Sequence, residues 1–333
     1  MKKAGIFFFL IIIMMTIVLF INHLIFVPIH NNNELVTLQI HQGTTSAEIG
    51  ELLYDKGLIK SELLFNIILR LRGQENMLKA GYYQFDSSAD MIKVIDKLAA
   101  GRVATFKITI PEGFTLKEIA EKLSEKTPYT KKEILETAEN MEINFIDNKP
   151  KNVKYCLEGF LYPDTYIIPR EYTPEQILEA MLAEFKKQSL DYLINNDNND
   201  FNAYHLLTIA SLIEEEGKIE AEKPLIAAVI YNRLEENMPL QIDASIQYIL
   251  SDRKETILYR DLEIKSRYNT YKNHGLPPGP ICSPGINSIK AALAPAEVDY
   301  LFYFALEDGS HKFTENYQDH IYYQNKMSEE YYE

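Results

Sequence analysis

Residues 206–217 read LLTIASLIEEEG, and the reading of this stretch decides the second half of the chain. Leu206, Leu207, Ile209, Ala210, Leu212 and Ile213 share one broad stripe at helical spacing, which predicts a helix packed on a core. The acidic tail then sorts by angle. From the centre of the stripe, Glu215 lies roughly 170° away, Glu214 about 90° and Glu216 about 70°. Glu215 is therefore expected to face solvent. Glu214 and Glu216 flank the stripe on opposite sides, where desolvation disfavours a charged carboxylate and raises its pKa. A raised pKa suits a general acid near neutral pH. Periodicity alone leaves Glu214 and Glu216 nearly level, and it also fits three glutamates at a fraying helix end.

Working outward, the central helix is expected over about 203–217. A second follows over about 223–236 with Pro224 in its first turn, and Asp243 caps a third, short helix through Ile249. On the amino-terminal side lies a polar loop, 195–200. Before it, Thr173-Pro174-Glu175-Gln176 starts a helix with proline at the first helical position. Residues 148–151, NKPK, read as a linker or loop, which places a domain boundary between about 130 and 155.

The first part of the chain carries an internal repeat. Residues 39–53 read QIHQGTTSAEIGELL and residues 109–123 read TIPEGFTLKEIAEKL, an offset of 70. In each copy a short alternating strand (36–40, 106–110) meets a turn glycine, Gly43 or Gly113. A T-x-x-E capping box then opens a helix: Thr45 with Glu48, Thr115 with Glu118. Between the copies, 79–85 reads as a strand and 90–98 as a helix, and Thr130 with Glu133 starts another helix. The strand–turn–helix unit resembles the LysM module, which implies binding of N-acetylated glycans. A small α+β scaffold that only holds the next domain off the membrane fits the same pattern.

At the amino end, residues 4–27 contain no Lys, Arg, Asp or Glu over 24 positions, enough for a helix to cross a bilayer. Lys2 and Lys3 precede the run, so the amino end (1–3) is expected in the cytoplasm and everything after Pro28 outside. No small-x-small cleavage site follows, which favours an uncleaved single-pass anchor over a signal peptide. The formal charge of −14 over 333 residues argues against nucleic acid as a partner, because such binding needs basic patches. A carbohydrate, bound by hydrogen bonds and stacking, remains compatible. The seven histidines and two cysteines show no metal-ligand spacing, so neither metal nor cofactor is expected. Cys156 and Cys282 are either a disulfide or two free thiols.

IASLIEEEG resembles the active-site helix of the YceG-like (MltG) family of endolytic peptidoglycan lytic transglycosylases, whose pattern is A-S-I-x-E-K-E-T/S. Residue by residue this maps Ala210, Ser211, Leu212, Ile213, Glu214, Glu215, Glu216 and Gly217, and the catalytic role falls on Glu216. Two positions depart: Glu215 replaces the usual Lys, and Gly217 replaces the small hydroxyl residue. Further segments match in order. Glu158-Gly159 with Pro163-Asp164-Thr165-Tyr166 matches E-G-x-x-x-P-D-T-Y/W, and Asn232-Arg233-Leu234 with Leu240-Gln241-Ile242-Asp243 matches N-R-L…L-Q-T/S-D. Tyr268-Asn269-Thr270-Tyr271 with 275–285 matches Y-N-T-Y…G-L-P-P-G-P-I-x-x-P-G, and His311-Lys312-Phe313 matches H-x-F.

The resemblance implies an α+β protein: one transmembrane helix (4–27), a LysM-like subdomain (35–130), and a mainly helical, lysozyme-like YceG-like catalytic domain (155–333) with some β structure. It implies cleavage of the MurNAc–GlcNAc β-1,4 bond of nascent peptidoglycan without water, by one acid/base residue. Gln241, Asp243, Asn269, Tyr271, Arg233 and His311 are the expected glycan contacts, while Glu158 and Asp164 read as structural. The implied setting is the outer face of a bacterial cell membrane. Glycan strands are the substrate there, and the peptidoglycan synthases of the elongation machinery are partners. A hydrolytic muramidase and a non-catalytic wall-binding scaffold are the competing readings.

Overall fold

A computed structural model describes residues 2–30, 34–146, 153, 155–195, 201–306 and 308–332. The expected linker at 148–151 and most of the polar loop at 195–200 lie outside them. The chain is α+β and divides into two compact units, residues 1–106 with 167–172, and 107–166 with 173–333.

The first unit opens with α1 (Lys2–Phe26), whose Gly5–Phe26 portion is long and apolar enough to cross a membrane by length and composition. Then come β1 (Leu35–Ile40), α2 (Ser46–Asp55), α3 (Glu62–Leu71), β2 (Gly81–Asp86) and α4 (Met91–Ala99). β1 and β2 pair antiparallel, Leu38 opposite Tyr83 and Val36 opposite Phe85. Alternation along β1 and β2 and helical spacing along α2 to α4 send Leu38, Ile40, Leu53, Phe65, Tyr83, Phe85, Val94 and Leu98 into one core.

β3 (Thr105–Thr109) and β4 (Thr165–Pro169) pair with each other and carry the chain out of the first unit and back. Between them lie α5 (Leu116–Ser124) and α6 (Lys131–Asn140). The second copy of the repeat thus places its helix in the second unit, the first copy in the first unit. The capping boxes of Thr45, Thr115, Thr130 and Thr173 all form with both hydrogen bonds, as their spacing predicts. Thr115→Ala is expected to cost about 1 kcal/mol, read as a lower midpoint in urea unfolding, because it strips one cap from α5 and leaves its buried face unchanged.

The rest of the second unit is α7 (Pro174–Phe185), α8 (Asp191–Ile194), α9 (Ala203–Glu216), α10 (Lys223–Glu235), α11 (Asp243–Ile249), α12 (Tyr259–Leu262), α13 (Ile286–Leu293), β5 (Phe302–Ala305), β6 (His311–Thr314) and α14 (Tyr317–Tyr332). The short helix at 243 begins one residue earlier than a cap at Asp243 requires: Ile242 holds the cap position, without a side-chain bond. α9 is the centre, packed by α8, α10, α11 and α13. It is buried along its whole middle, from Leu206 to Ile213, not on one stripe. Thr208 and Ser211 fit because their hydroxyls donate to the carbonyls of Tyr204 and Thr208 inside the helix. Glu158, expected to be structural, lies inside the second unit. It is buried and accepts from the Leu116 N–H at the start of α5 (2.8 Å) and from the Tyr248 hydroxyl (3.0 Å). Cys156 and Cys282 are free thiols.

Candidate functional site

The three glutamates at the end of α9 leave in three directions. Glu214 accepts from the Gly285 N–H at 3.0 Å and the Ser288 hydroxyl at 2.6 Å, at the amino end of α13. That helix end favours negative charge. Lys223, 2% exposed, lies 3.5 Å from Glu214 and 2.7 Å from Glu220. Burial pulls its ammonium pKa down, but Glu220, Glu214 and Glu112 outweigh this and the net shift is upward. Glu214 is thus held by donors from α13 and by Lys223 of α10, partners that Glu216 does not share.

The expectation that Glu215 faces solvent is wrong. Its side chain is only 8% exposed and forms an ion pair with Arg253. The reason is that α9 is surrounded, so its far side is covered too. Glu215 lines a cavity of about 210 Å³ with Thr115, Glu118, Tyr248 and Arg253. Burial pushes its pKa up, and Arg253 pulls part of that back.

Glu216, the last residue of α9, is half-buried. Its Oε2 accepts a hydrogen bond from the Tyr303 hydroxyl at 3.0 Å. Burial raises its pKa. The Tyr303 bond lowers it, the charge of Asp243 raises it, and the Ala244 N–H and His311 lower it, with the net shift upward. Gly217 follows in an open conformation. A Cβ there would lie 2.9 Å from Lys223 Cγ and 3.0 Å from the Ile213 carbonyl oxygen, so the missing hydroxyl makes room for the buried lysine stem.

Of the residues expected around Glu216, the structure brings Asp243, Tyr271 and His311 to it. The Tyr271 hydroxyl donates to Asp243 at 2.5 Å. Burial raises the Tyr271 pKa, and the bond to Asp243, the Asp243 charge and Glu216 raise it further. His311 Nδ1 lies 2.8 Å from Glu222, whose other oxygen accepts the His311 backbone N–H at 3.1 Å. Gln241 is exposed, with left-handed φ of 52°, and its Oε1 lies 3.5 Å from Arg233. A non-glycine residue in that region is uncommon, and such residues cluster at functional sites.

Asn269 and Arg233 are not placed to touch a ligand in this conformation. Asn269 is fully buried. Its amide donates to the carbonyls of Leu262 and Ile264, and its oxygen accepts from the Tyr271 N–H. It braces the loop that presents Tyr271. Arg233 is 8% exposed and donates to the carbonyls of Leu301 (2.6 Å), Leu240 (2.7 Å) and Pro239 (3.3 Å). Both satisfy backbone carbonyls that would otherwise need another donor.

Sequence reading misses Tyr303 and Glu222. The run 301–305 before Asp308-Gly309 carries a hairpin signal, aromatic residues ahead of a D-G turn. Nothing local says that Tyr303 reaches a carboxylate 87 positions earlier. Among the described residues no group of His, Cys, Asp and Glu stands together as a metal site. What the arrangement offers is one half-buried carboxyl whose pKa burial pushes up. A neutral hydroxyl holds one of its oxygens, and a second carboxylate stands beside it. That is the equipment of a general acid.

Residues 38–326 match the model of the YceG-like family. The chain is 37% identical over 309 residues to an endolytic murein transglycosylase of Bacillus subtilis (strain 168), covering 89% of this chain and 84% of that one. It is 33% identical over 323 residues to an endolytic murein transglycosylase of Streptococcus pneumoniae serotype 2, covering 87% of this chain and 58% of that one. The crystal structure of a YceG-like protein of Listeria monocytogenes is similar, with a TM-score of 0.58 and 32% identity over 87% of this chain and 99% of that chain.

Proposed function

Because the chain belongs to the YceG-like family, we propose that it is an endolytic murein transglycosylase that cuts nascent peptidoglycan strands with Glu216 as acid and base. The observation that carries this reading is the half-buried carboxyl of Glu216, with raised pKa, at the end of the central helix.

The neutral Glu216 carboxyl gives its proton to the oxygen of the MurNAc–GlcNAc β-1,4 bond. The C1–O bond breaks, its electron pair stays with that oxygen, and the GlcNAc 4-hydroxyl leaves. The N-acetyl group of the same MurNAc supports the positive charge at C1. The Glu216 carboxylate then takes the proton of the MurNAc 6-hydroxyl as its oxygen bonds to C1. This restores the acid and leaves a 1,6-anhydro end. No water is consumed, and the internal nucleophile is already held within reach. Asp243, Tyr271, Gln241 and His311 border the sugar. Arg233 and Asn269 hold the loops that carry them.

In this reading α1 is a single-pass anchor with its amino end in the cytoplasm. Residues 35–130 carry the two LysM-like strand–turn–helix repeats, whose helices fall in different compact units, and 155–333 form a lysozyme-like catalytic domain on the outer face of the cell membrane. There it terminates strands as the elongation synthases extend them. The formed capping boxes of both strand–turn–helix copies support the LysM-like repeat. The length and hydropathy of α1 support the anchor.

One observation favours a second reading. Asp243 is an exposed carboxylate whose charge acts on Glu216, and a carboxylate in that position can activate water, as in a muramidase. Incubation of the full chain, in detergent, with purified glycan strands decides between them by product mass. Anhydro ends are expected; products heavier by one water show hydrolysis, and no cleavage sinks both enzymatic readings.

A further inference from the structure

The hairpin of β5 and β6 stands against the end of α9 with Tyr303 at its working face. Tyr303 pairs across the ladder with Phe313, and Ala305 with His311, so His311 is the diagonal neighbour of Tyr303. The two rings meet edge to face, 5.4 Å apart at 89°, and Phe313 closes the group 5.8 Å from Tyr303. Glu222, in the turn ahead of α10, grips His311 by both its backbone N–H and its ring Nδ1. From the other end of α10, Asn232 donates to the carbonyls of Val298 and Tyr300, and Arg233 to that of Leu301. The start of β5 is therefore tied down on one side and the Tyr303 ring on the other.

We propose that Tyr303 is a positioning residue for Glu216: its hydroxyl occupies Oε2 and so leaves Oε1 as the oxygen that exchanges the proton, while Glu222, acting through His311, fixes the phenol in that place. This rests on the reading of Glu216 as the acid. A carboxyl whose two oxygens are equivalent can turn its proton to either side. Here the Tyr303 hydroxyl is the stronger of two donors to the carboxyl, ahead of the Ala244 N–H, and it engages Oε2, so the acidic proton belongs on Oε1. Tyr303 keeps its own proton, because burial, with the charge of Glu216 next, pushes the phenol pKa far up. It is thus a donor throughout the cycle, and it stabilises Glu216 when the first proton has gone.

The test is Tyr303→Phe in the full chain, with cleavage of purified glycan strands followed across pH. The bond from Tyr303 favours the charged form of Glu216, so its removal raises the pKa of the acid further. The groups facing Glu216 are Tyr303 and His311 from the hairpin, Asp243 and the Ala244 N–H from α11, Tyr271 from its loop, and Glu215 beside it on α9. Arg233 acts on Tyr303 and Tyr271. Only the first of these contacts is lost in the variant. The expected result is a fall in kcat of about tenfold, KM within about twofold, and an alkaline limb of kcat/KM displaced to higher pH. His311→Gln keeps the phenol but loosens it. His311 also lowers the Glu216 pKa through its own charge, so this variant is expected to move the limb the same way, and the double variant to go further than Tyr303→Phe by no more than that direct charge effect.

Wild-type kcat and an unmoved limb in Tyr303→Phe overturn the proposal, as does a loss of activity with the limb unmoved. If Tyr303→Phe folds poorly, His311→Gln with its limb unmoved overturns it alone. Glu216→Gln separates the two levels. If that variant still cuts strands, the acid itself is misassigned. If it is inactive while Tyr303→Phe behaves as wild type, only the positioning role fails.

Discussion

Glu216→Gln is expected to lower strand cleavage by about a thousandfold or more while leaving the protein at least as stable as the wild type. The amide has nearly the shape of the carboxyl, and its oxygen can still accept from the Tyr303 hydroxyl, so the end of α9 and the hairpin keep their places. What disappears is the proton. An amide neither donates one to a departing glycosidic oxygen nor takes one from a 6-hydroxyl, and general acid–base groups contribute about 10²–10⁴-fold. Loss of a residue that serves both steps belongs at the upper end of that range.

The stability half of the prediction follows from linkage. Burial holds the folded-state pKa of Glu216 above its ordinary value of 4.5, so the folded state binds this proton more tightly than the unfolded chain does. The cost to stability is absent below the unfolded pKa. It grows as pH rises through 4.5 and is complete above the folded pKa. The glutamine variant, with no proton to lose, carries no such cost. Urea unfolding of the two proteins should therefore coincide in acid and separate toward neutral pH, with the variant the more stable. A variant that loses activity together with stability at pH 7 contradicts both the burial of this carboxyl and its role. Functional groups held in unfavourable surroundings commonly trade stability for activity in this sense.

How much of this was legible in the sequence depends on the range of the interaction. The helix starts at Thr45, Thr115, Thr130 and Thr173 are decided within four residues, and each formed where its spacing places it. The central helix was legible as well, because a dense apolar run leaves no other economical structure. Its surroundings were not. A wheel assumes that one face meets water, but α9 is enclosed, and Glu215 accordingly pairs with Arg253 instead of facing solvent. Glu214 and Glu216 differ in partners that lie far along the chain, at 285–288 and at 303. Motif matching picked out Asp243, Tyr271 and His311, which stand beside Glu216. It drew in Asn269 and Arg233 by the same logic, although both act on backbone. A motif marks positions under constraint without saying whether the constraint is chemical or architectural.

Arg233→Ala shows the architectural kind, with an expected loss of about 3 kcal/mol of stability and of most activity. The guanidinium is nearly buried and bonds the carbonyls of Leu301 and Leu240 from different nitrogens, over the ring of Phe302 at 5.2 Å. Alanine leaves those carbonyls without their charged donor and opens a space beside β5. An unpaired buried carbonyl costs about 1–3 kcal/mol, and water entering the gap recovers part of it. The result should be a midpoint of thermal unfolding lower by about 5–10 °C. The activity loss follows from what the two carbonyls belong to. Leu301 is two residues before Tyr303, and Leu240 three before Asp243, so one side chain sets the spacing between the donor to Glu216 and its neighbouring carboxylate. Arg233→Lys keeps the charge but has a single point of donation in place of a planar fork. It should recover part of the stability and little of the activity. If Arg233→Lys instead restores full cleavage, the charge matters and the spacing does not. If Arg233→Ala melts as the wild type does, the bonds to Leu301 and Leu240 contribute nothing to the fold.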